Sequence, residues 1–303
     1  MKTILVTGKT GQVGRELARY LQPLGRIIAT GQDELDLSSP DSIRAAVRMH
    51  APDIVVNAAA YTAVDKAEAE PDLAMQINAV APGVLAEEAK RANALLVHYS
   101  TDYIFDGLLG RPYIEEDAPN PLNVYGKTKL EGERAIAAIG GAFLILRTSW
   151  IYSDQPPNFL LTILNLARQE TQLDVVDDQV GSPTWARSLA TATADVLRQA
   201  VNARERAGIY HLSASGYTTR YGFARRILEL AETLSNGKLS CPVLRPSPTA
   251  KFPLPAARPL NCPTSKDKIR SVFGIEMTDW TVQLAVCMKH LLQQESIKAA
   301  QEK

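Results

Sequence analysis

Cysteine is scarce in this chain: Cys241, Cys262 and Cys287 are the three among 303 residues. An odd number at no metal-like spacing excludes a disulfide framework and points to a reducing compartment. The four histidines, His50, His98, His211 and His290, are too scattered for a local zinc motif. No apolar run approaches the length of a membrane span, and the run at the amino terminus is too short for a signal peptide. These absences predict a cytoplasmic location and no membrane partner. Excess charge is also missing, since 33 Lys and Arg face 33 Asp and Glu. A neutral chain has no surplus of cations to displace counterions, which argues against nucleic acid as a partner. A local anion site stays open. What is present, 46% hydrophobic and 22% charged residues, belongs to an ordinary globular protein of one large or two smaller domains.

The first half alternates short apolar runs with helical patterns. Strands are predicted at 3–6, 26–29, 53–56, 95–99 and 143–147, and helices at 12–21, 42–49, 72–93 and 126–139. Val13, Leu17 and Leu21 fall on one helical face. Ser39 or Asp41 suits a cap for the helix at 42–49. Strands that read as continuous apolar runs, each followed by a helix, imply a parallel sheet covered on both faces. The second half is less regular, with strands predicted at 173–176 and 209–212, a helix at 186–199 and a last helix at 282–292. Seven prolines between Pro242 and Pro263 read as loops of a smaller second domain, and the residues after about 295 as a frayed tail.

Gly8, Gly11 and Gly14 follow the first strand and open the first helix. There the first glycine serves a tight turn, the second admits a pyrophosphate to the backbone, and the third lets helix and strand pack closely. Free N–H groups at the helix start face the anion. The spacing is G-x-x-G-x-x-G rather than G-x-G-x-x-G, but its place between strand and helix favours a dinucleotide. The second strand ends in Ala29-Thr30-Gly31-Gln32, with no acid before Asp33 to hold a ribose hydroxyl. That leaves room for a 2′-phosphate, with Lys9 or Arg15 as partners, and favours NADPH while leaving NADH open.

Tyr125 and Lys129 are four apart at a helix start and share a face. An ammonium near a phenol lowers the tyrosine pKa, and a tyrosine so tuned can protonate an alkoxide as hydride arrives. Ser100 and Thr101 follow the fourth strand at the edge where such sheets bind ligands, and a hydroxyl there can donate to a substrate carbonyl. Glycine loop, hydroxyl and Y-x-x-x-K come in chain order.

This set resembles the extended short-chain dehydrogenase/reductase superfamily. Finer stretches resemble the dTDP-4-dehydrorhamnose reductase family: NAAAYTAVDKAE at 57–68, YSTDYIFDG at 99–107, PLNVYGKTK at 121–129, RTSW at 147–150 and DQVGSPT at 178–184. The resemblance runs from residue 1 to about 292 and implies an α/β fold, a Rossmann-type doubly wound parallel sheet with a smaller C-terminal substrate-binding domain. Residues 1–150 are then the dinucleotide-binding domain, its sheet continued by 171–213. Residues 214–303 with part of 151–170 form the substrate-binding domain. The implied reaction is NADPH-dependent reduction of the 4-keto group of dTDP-4-dehydro-L-rhamnose to dTDP-L-rhamnose. By position, Gly8, Gly11, Gln12, Val13 and Gly14 contact the dinucleotide, Asp36 and Leu37 flank its adenine, and Ala60, Tyr61 and Thr62 line its nicotinamide half. Thr101, Asp102, Trp150 and Arg258 contact the sugar nucleotide. Tyr125 is the proton donor, Thr101 assists it, and Lys129 is its partner and holds the nicotinamide ribose.

Some relatives use magnesium at a dimer interface. Glu16 matches one of those acidic positions, so the resemblance leaves Mg2+ and a homodimer open without naming a ligand set. Asn261 to Thr264 depart from the family's usual residues after the Arg258-Pro259 pair. Two other readings stay beside this one. One is another sugar-nucleotide enzyme of the same superfamily, a reductase, epimerase or dehydratase; a dehydratase needs a glutamate where Tyr103 stands, which argues against elimination. The other is a non-catalytic regulatory subunit resembling that of methionine adenosyltransferase, over which the intact Thr101, Tyr125 and Lys129 favour an enzyme.

Overall fold

The structure is a computed structural model that describes residues 1–199, 205–235 and 241–301. Its first half runs β1 (Lys2–Thr7), α1 (Gln12–Tyr20), β2 (Gly25–Thr30), α2 (Pro40–His50), β3 (Ile54–Asn57), α3 (Val64–Ala69), α4 (Pro71–Met75), α5 (Ala81–Arg91), β4 (Leu95–Thr101), α6 (Val124–Ile139) and β5 (Phe143–Thr148). The predicted helix 72–93 is divided: a π-helical turn, Gln76–Val80, joins α4 to α5. Ser39, not Asp41, caps α2, accepting from Ser42 N–H at 3.3 Å.

The second half adds β6 (Ile151–Tyr152), α7 (Phe159–Ala167), β7 (Gln172–Val176), β8 (Val180–Gly181), β9 (Thr184–Trp185), α8 (Ala186–Gln199), β10 (Gly208–His211), β11 (Thr218–Thr219), α9 (Arg220–Leu234), β12 (Val243–Ser247), α10 (Asp267–Phe273) and α11 (Trp280–Gln301). Two expectations differ here. The proline-rich stretch contains a strand, β12, which pairs in parallel with β7. The last helix runs through Gln301, so the residues after 295 are helical rather than frayed as far as the structure describes them.

Six strands form one sheet in the order β2-β1-β3-β4-β5-β10, and every pairing is parallel. Among the described residues of the 171–213 stretch expected to continue this sheet, only β10 joins it; β7 lies in the two-stranded sheet with β12. Side chains alternate between two cores, because neighbouring residues of a strand point to opposite faces. Ile4, Val6, Ile54, Val56 and Val97 face α1 and α8 through Leu17, Leu189 and Leu197. Leu5, Val55, Leu96 and Ile145 face α2, α5 and α6 through Ile43, Val47, Leu85 and Ile136. With both faces buried, the inner strands show no alternating polar side in sequence. A separate core gathers Tyr152, Leu160, Trp185, Phe223, Ile227, Trp280 and Met288 from the second half. From β1 the chain goes outward to β2 and then crosses to β3 on the other side. That reversal leaves a crevice at the carboxyl ends of β1 and β3, where such sheets bind ligands.

Candidate active site

A cleft of about 840 Å³ occupies this crevice, and most of the site residues predicted from sequence line it. Gly8, Gly11, Gln12 and Val13 form its floor under β1, and Asp36 and Leu37 one end. Ala60, Thr62, Thr101, Asp102, Tyr125, Lys129 and Trp150 line the rest. Gly8 turns the chain with φ at +74°, a left-handed conformation that favours glycine. A Cβ on Gly14 would sit 2.0 Å from the Gly8 carbonyl oxygen, so the third glycine works by closing α1 onto β1, not by touching the cleft. No side chain caps α1 at Gly11. Its first N–H groups face the cleft bare, which suits an anion. Ser100 and Thr148 also line the cleft, and their buried hydroxyls have no partner among the described residues. Bare amides and unpaired hydroxyls fit a polar, phosphate-bearing ligand such as a dinucleotide.

Three predicted residues lie elsewhere. Gly14 is one. Tyr61 is turned outward, its hydroxyl donating to Glu70 at 2.6 Å while Asn78 holds its backbone. Arg258 pairs through both Nη atoms with Asp65 at 2.5 and 2.6 Å, behind Tyr103. Near the end of β2, Lys9 donates to Glu34 at 2.6 Å, and Glu34 also takes the Gly31 N–H. Arg15 reaches back to the Thr10 carbonyl.

Asn123 caps α6 through Gly126 N–H at 2.8 Å and so aims Tyr125 and Lys129 at the cleft. A Cβ on Gly126 would lie 2.2 Å from the Tyr103 carbonyl, so glycine lets this helix start press against the turn after β4. Tyr125 and Thr101 line the same cleft, and burial pushes the phenol's pKa up. This corrects the sequence expectation of a lowered value: Lys129 Nζ is spent on the Tyr99 carbonyl at 2.7 Å and on His98 Nε2 at 3.1 Å. Burial brings the lysine itself down to about 8, with Glu133 opposing. Asp102 accepts from Ser149 at 2.6 Å and Thr101 at 3.2 Å, and burial raises its carboxyl to about 6.

Trp150 stands at φ +43°, and a Cβ on Gly181 would meet its indole at 2.5 Å. Over this ring lies a residue that the sequence reading missed. The Arg220 guanidinium is 3.5 Å from the Trp150 ring centroid and lines the cleft with Tyr103 and Asn158. Burial lowers its pKa, while Tyr103 and Asp102 pull the other way. Among the described residues it forms no ion pair. A signal existed in the sequence: Arg220 directly follows the Thr219 cap, and a cation in a helix's first turn is electrostatically misplaced unless something else wants it there.

Glu16, matched to a metal position, is instead paired with Arg187 at 3.2 Å. Among the described residues no three His, Cys, Asp or Glu side chains group to hold a metal. No described helix is long and apolar enough to cross a membrane.

Residues 1–293 match the family of the RmlD substrate binding domain. A dTDP-4-dehydrorhamnose reductase of Burkholderia thailandensis is 45% identical over 298 residues, 96% of this chain and 99% of that protein. One from Escherichia coli K12 is 45% identical over 283 residues, 92% of this chain and 94% of that one. The crystal structure of the Bacillus anthracis dTDP-4-dehydrorhamnose reductase, in complex with NADP, superposes with a TM-score of 0.87 at 31% identity. It covers 95% of this chain and 99% of its own. The similarity spans the sheet, the cleft and the second core alike, and this chain belongs to the dTDP-4-dehydrorhamnose reductase family.

Proposed function

We propose that the chain uses NADPH to reduce the 4-keto group of dTDP-4-dehydro-L-rhamnose, giving dTDP-L-rhamnose. The observation that carries this is the meeting of Thr101, Tyr125 and Lys129 in one cleft with the uncapped start of α1. The Bacillus anthracis relative's complex with NADP supports the choice of cofactor.

Gly8, Gly11, Gln12 and Val13 would hold the pyrophosphate, Asp36 and Leu37 the adenine end, and Ala60, Thr62 and Lys129 the nicotinamide half. NADPH, when bound, supplies a hydride for the sugar's C4. Tyr125 stays a neutral phenol because it is buried, so its hydroxyl has a proton to give to the C4 oxygen as charge develops there. Thr101, whose hydrogen goes to Asp102 in the ligand-free site, would turn that hydrogen to the C4 oxygen to steady it. Lys129, when protonated, stabilises the phenolate left behind. On the far side, Asp102, Trp150 and Arg220 would orient the sugar nucleotide. Residues 1–150 then act as the dinucleotide-binding part, and 214–303 with part of 151–170 present the substrate. Tyr103 occupies the place where a dehydratase needs a carboxylate, which disfavours elimination.

The purified protein should oxidise NADPH when dTDP-4-dehydro-L-rhamnose is added and not in its absence. Tyr125→Phe should lose about a hundredfold or more in kcat while binding NADPH within a few-fold of wild type. Unchanged turnover in that variant sinks the proton-donor role.

A further inference from the structure

Behind Lys129 lies a row of polar side chains that the reaction above does not use. Strand register sets Thr7 beside Asn57, and Asn57 beside His98, across β1, β3 and β4. Each is 1% exposed. The Thr7 hydroxyl bonds Asn57 Oδ1 at 2.7 Å, Asn57 Nδ2 meets His98 Nδ1 at 3.0 Å, and His98 Nε2 meets Lys129 Nζ at 3.1 Å. Buried polar groups in such a line are costly unless each satisfies the next.

The protons in the row can be assigned. Thr7 Oγ1 accepts the Ala59 N–H at 3.2 Å, so its own hydrogen goes to Asn57 Oδ1. That bond turns the amide so that its NH2 faces His98 Nδ1. Nδ1 therefore accepts, and the neutral ring carries its hydrogen on Nε2. A doubly protonated ring would set donor against donor at Asn57, and burial already holds this imidazole far below its usual value. Nε2–H then points at Lys129 Nζ. An ammonium has only donors and would collide with it. An amine offers a lone pair there and keeps an N–H for the Tyr99 carbonyl.

The other groups facing Lys129 do not override this. From its own helix come Tyr125 and Glu133. Glu133 favours the ammonium but is itself held by Arg147 of β5 at 2.7 Å. From β4 come His98 and the Tyr99 carbonyl, and from β3 and β1 the uncharged Asn57 and Thr7.

We propose that His98 is a positioning residue: its Nε2–H, aimed by Thr7 and Asn57, favours the amine form of Lys129 over the ammonium in the ligand-free enzyme. Lys129 is then a titrating group near working pH rather than a permanent cation. The inference deepens the reading of Lys129 as partner of Tyr125, but its test does not depend on the sugar nucleotide.

Histidine labelled with 15N, assigned by loss of one signal in His98→Gln, reports which ring nitrogen carries the hydrogen. Wild type should show the Nε2–H form through the neutral range. In Asn57→Asp the carboxylate accepts from both Thr7 and the ring, which moves the hydrogen to Nδ1. Nε2 then accepts from the ammonium. The Lys129 midpoint, followed by a 13C label at Cε, should rise by about one pH unit or more. Thr7→Val frees the amide to turn without adding charge, and should move tautomer and midpoint in the same directions. The basic limb of kcat should follow the lysine midpoint. An Nδ1–H or doubly protonated ring in wild type overturns the proposal. So does a Lys129 midpoint that stays fixed while the tautomer changes. Failure of the assigned substrate alone would leave both NMR readouts intact.

Discussion

Asp102 separates folding from function at the level of one residue. Its carboxylate is 2% exposed, and burial outweighs the Ser149 and Thr101 hydrogen bonds, raising its pKa from 3.8 to about 6. The folded state therefore binds a proton more readily than the unfolded chain between these values, and stability falls as pH rises through that window. At pH above it, Asp102→Asn should stabilise the protein by up to about 3 kcal/mol. The gain should vanish below about pH 4. The same variant should lower kcat/KM for the sugar nucleotide. Urea melts at two pH values check the first part, and an equal gain at both sinks it. Arg220→Met keeps an apolar body on Trp150 but removes the charge. It should raise KM for the sugar nucleotide about tenfold or more, with NADPH affinity unchanged. Thr101, Tyr125 and Lys129 were legible because chain order sets Thr101 at the end of the fourth strand and a spacing of four puts Tyr125 and Lys129 on one face of the helix that follows. Arg220 was not, because its partner Trp150 is 70 residues away in sequence and meets it only through the fold. The raised rather than lowered Tyr125 was also hidden, since spacing shows that Lys129 is near but not that His98 and Tyr99 already occupy its Nζ.

At the scale of elements, the contacts between helices and turns rest on glycines. Gly132 packs α6 on the π-helical turn, where a Cβ would lie 2.2 Å from the Asn78 carbonyl oxygen. Asn78 in turn holds the Tyr61 backbone and the Thr128 hydroxyl. Gly14→Ala and Gly132→Ala should each destabilise by about 1–3 kcal/mol, since backbone must shift to admit the methyl. Their functional effects should differ. Gly14→Ala tips α1 from the glycine loop and should weaken NADPH binding. Gly132→Ala moves α6 and should lower kcat with less effect on that binding. Equal effects on both constants would refute the division between loop and helix. The central strands were legible because their buried stretches are continuous apolar runs, with the buried polar residues gathered in their carboxyl-terminal halves. The short strands β6, β8, β9 and β11 were not, since two residues carry no period. Nor was β12, whose prolines read as loop: it pairs with β7 alone, so Pro246 sits on an edge strand, where a missing N–H is tolerated.

Over the whole molecule, zero net charge means that the two pyrophosphate ligands of the proposed reaction would be held by local features, the start of α1 and placed cations such as Arg220, and not by a surface field. Neutrality also leaves acid stability to individual buried groups. His211 closes β10 against the C-terminal segment, its Nδ1 bonded to the Ser265 carbonyl at 3.1 Å and its backbone N–H to Glu115. Burial, aided by the Arg147 charge, lowers its pKa from 6.5 to about 3. The unfolded chain then binds a proton that the folded one refuses between those values, so stability falls as pH drops through that window. The slope for one such group is about 1.4 kcal/mol per pH unit, or about 2 kcal/mol between pH 6.5 and 5. Glu115 and Asp102, both raised by burial, oppose it. His98, equally buried and lowered, adds to it. His211→Asn retains a donor for the Ser265 carbonyl and cannot titrate. Its urea midpoint should therefore fall less steeply than wild type between pH 6.5 and 5, whatever its stability at neutral pH. Parallel slopes for the two proteins would show that His211 gains its proton without unfolding, and that the join between β10 and the C-terminal segment is not where acid opens the fold.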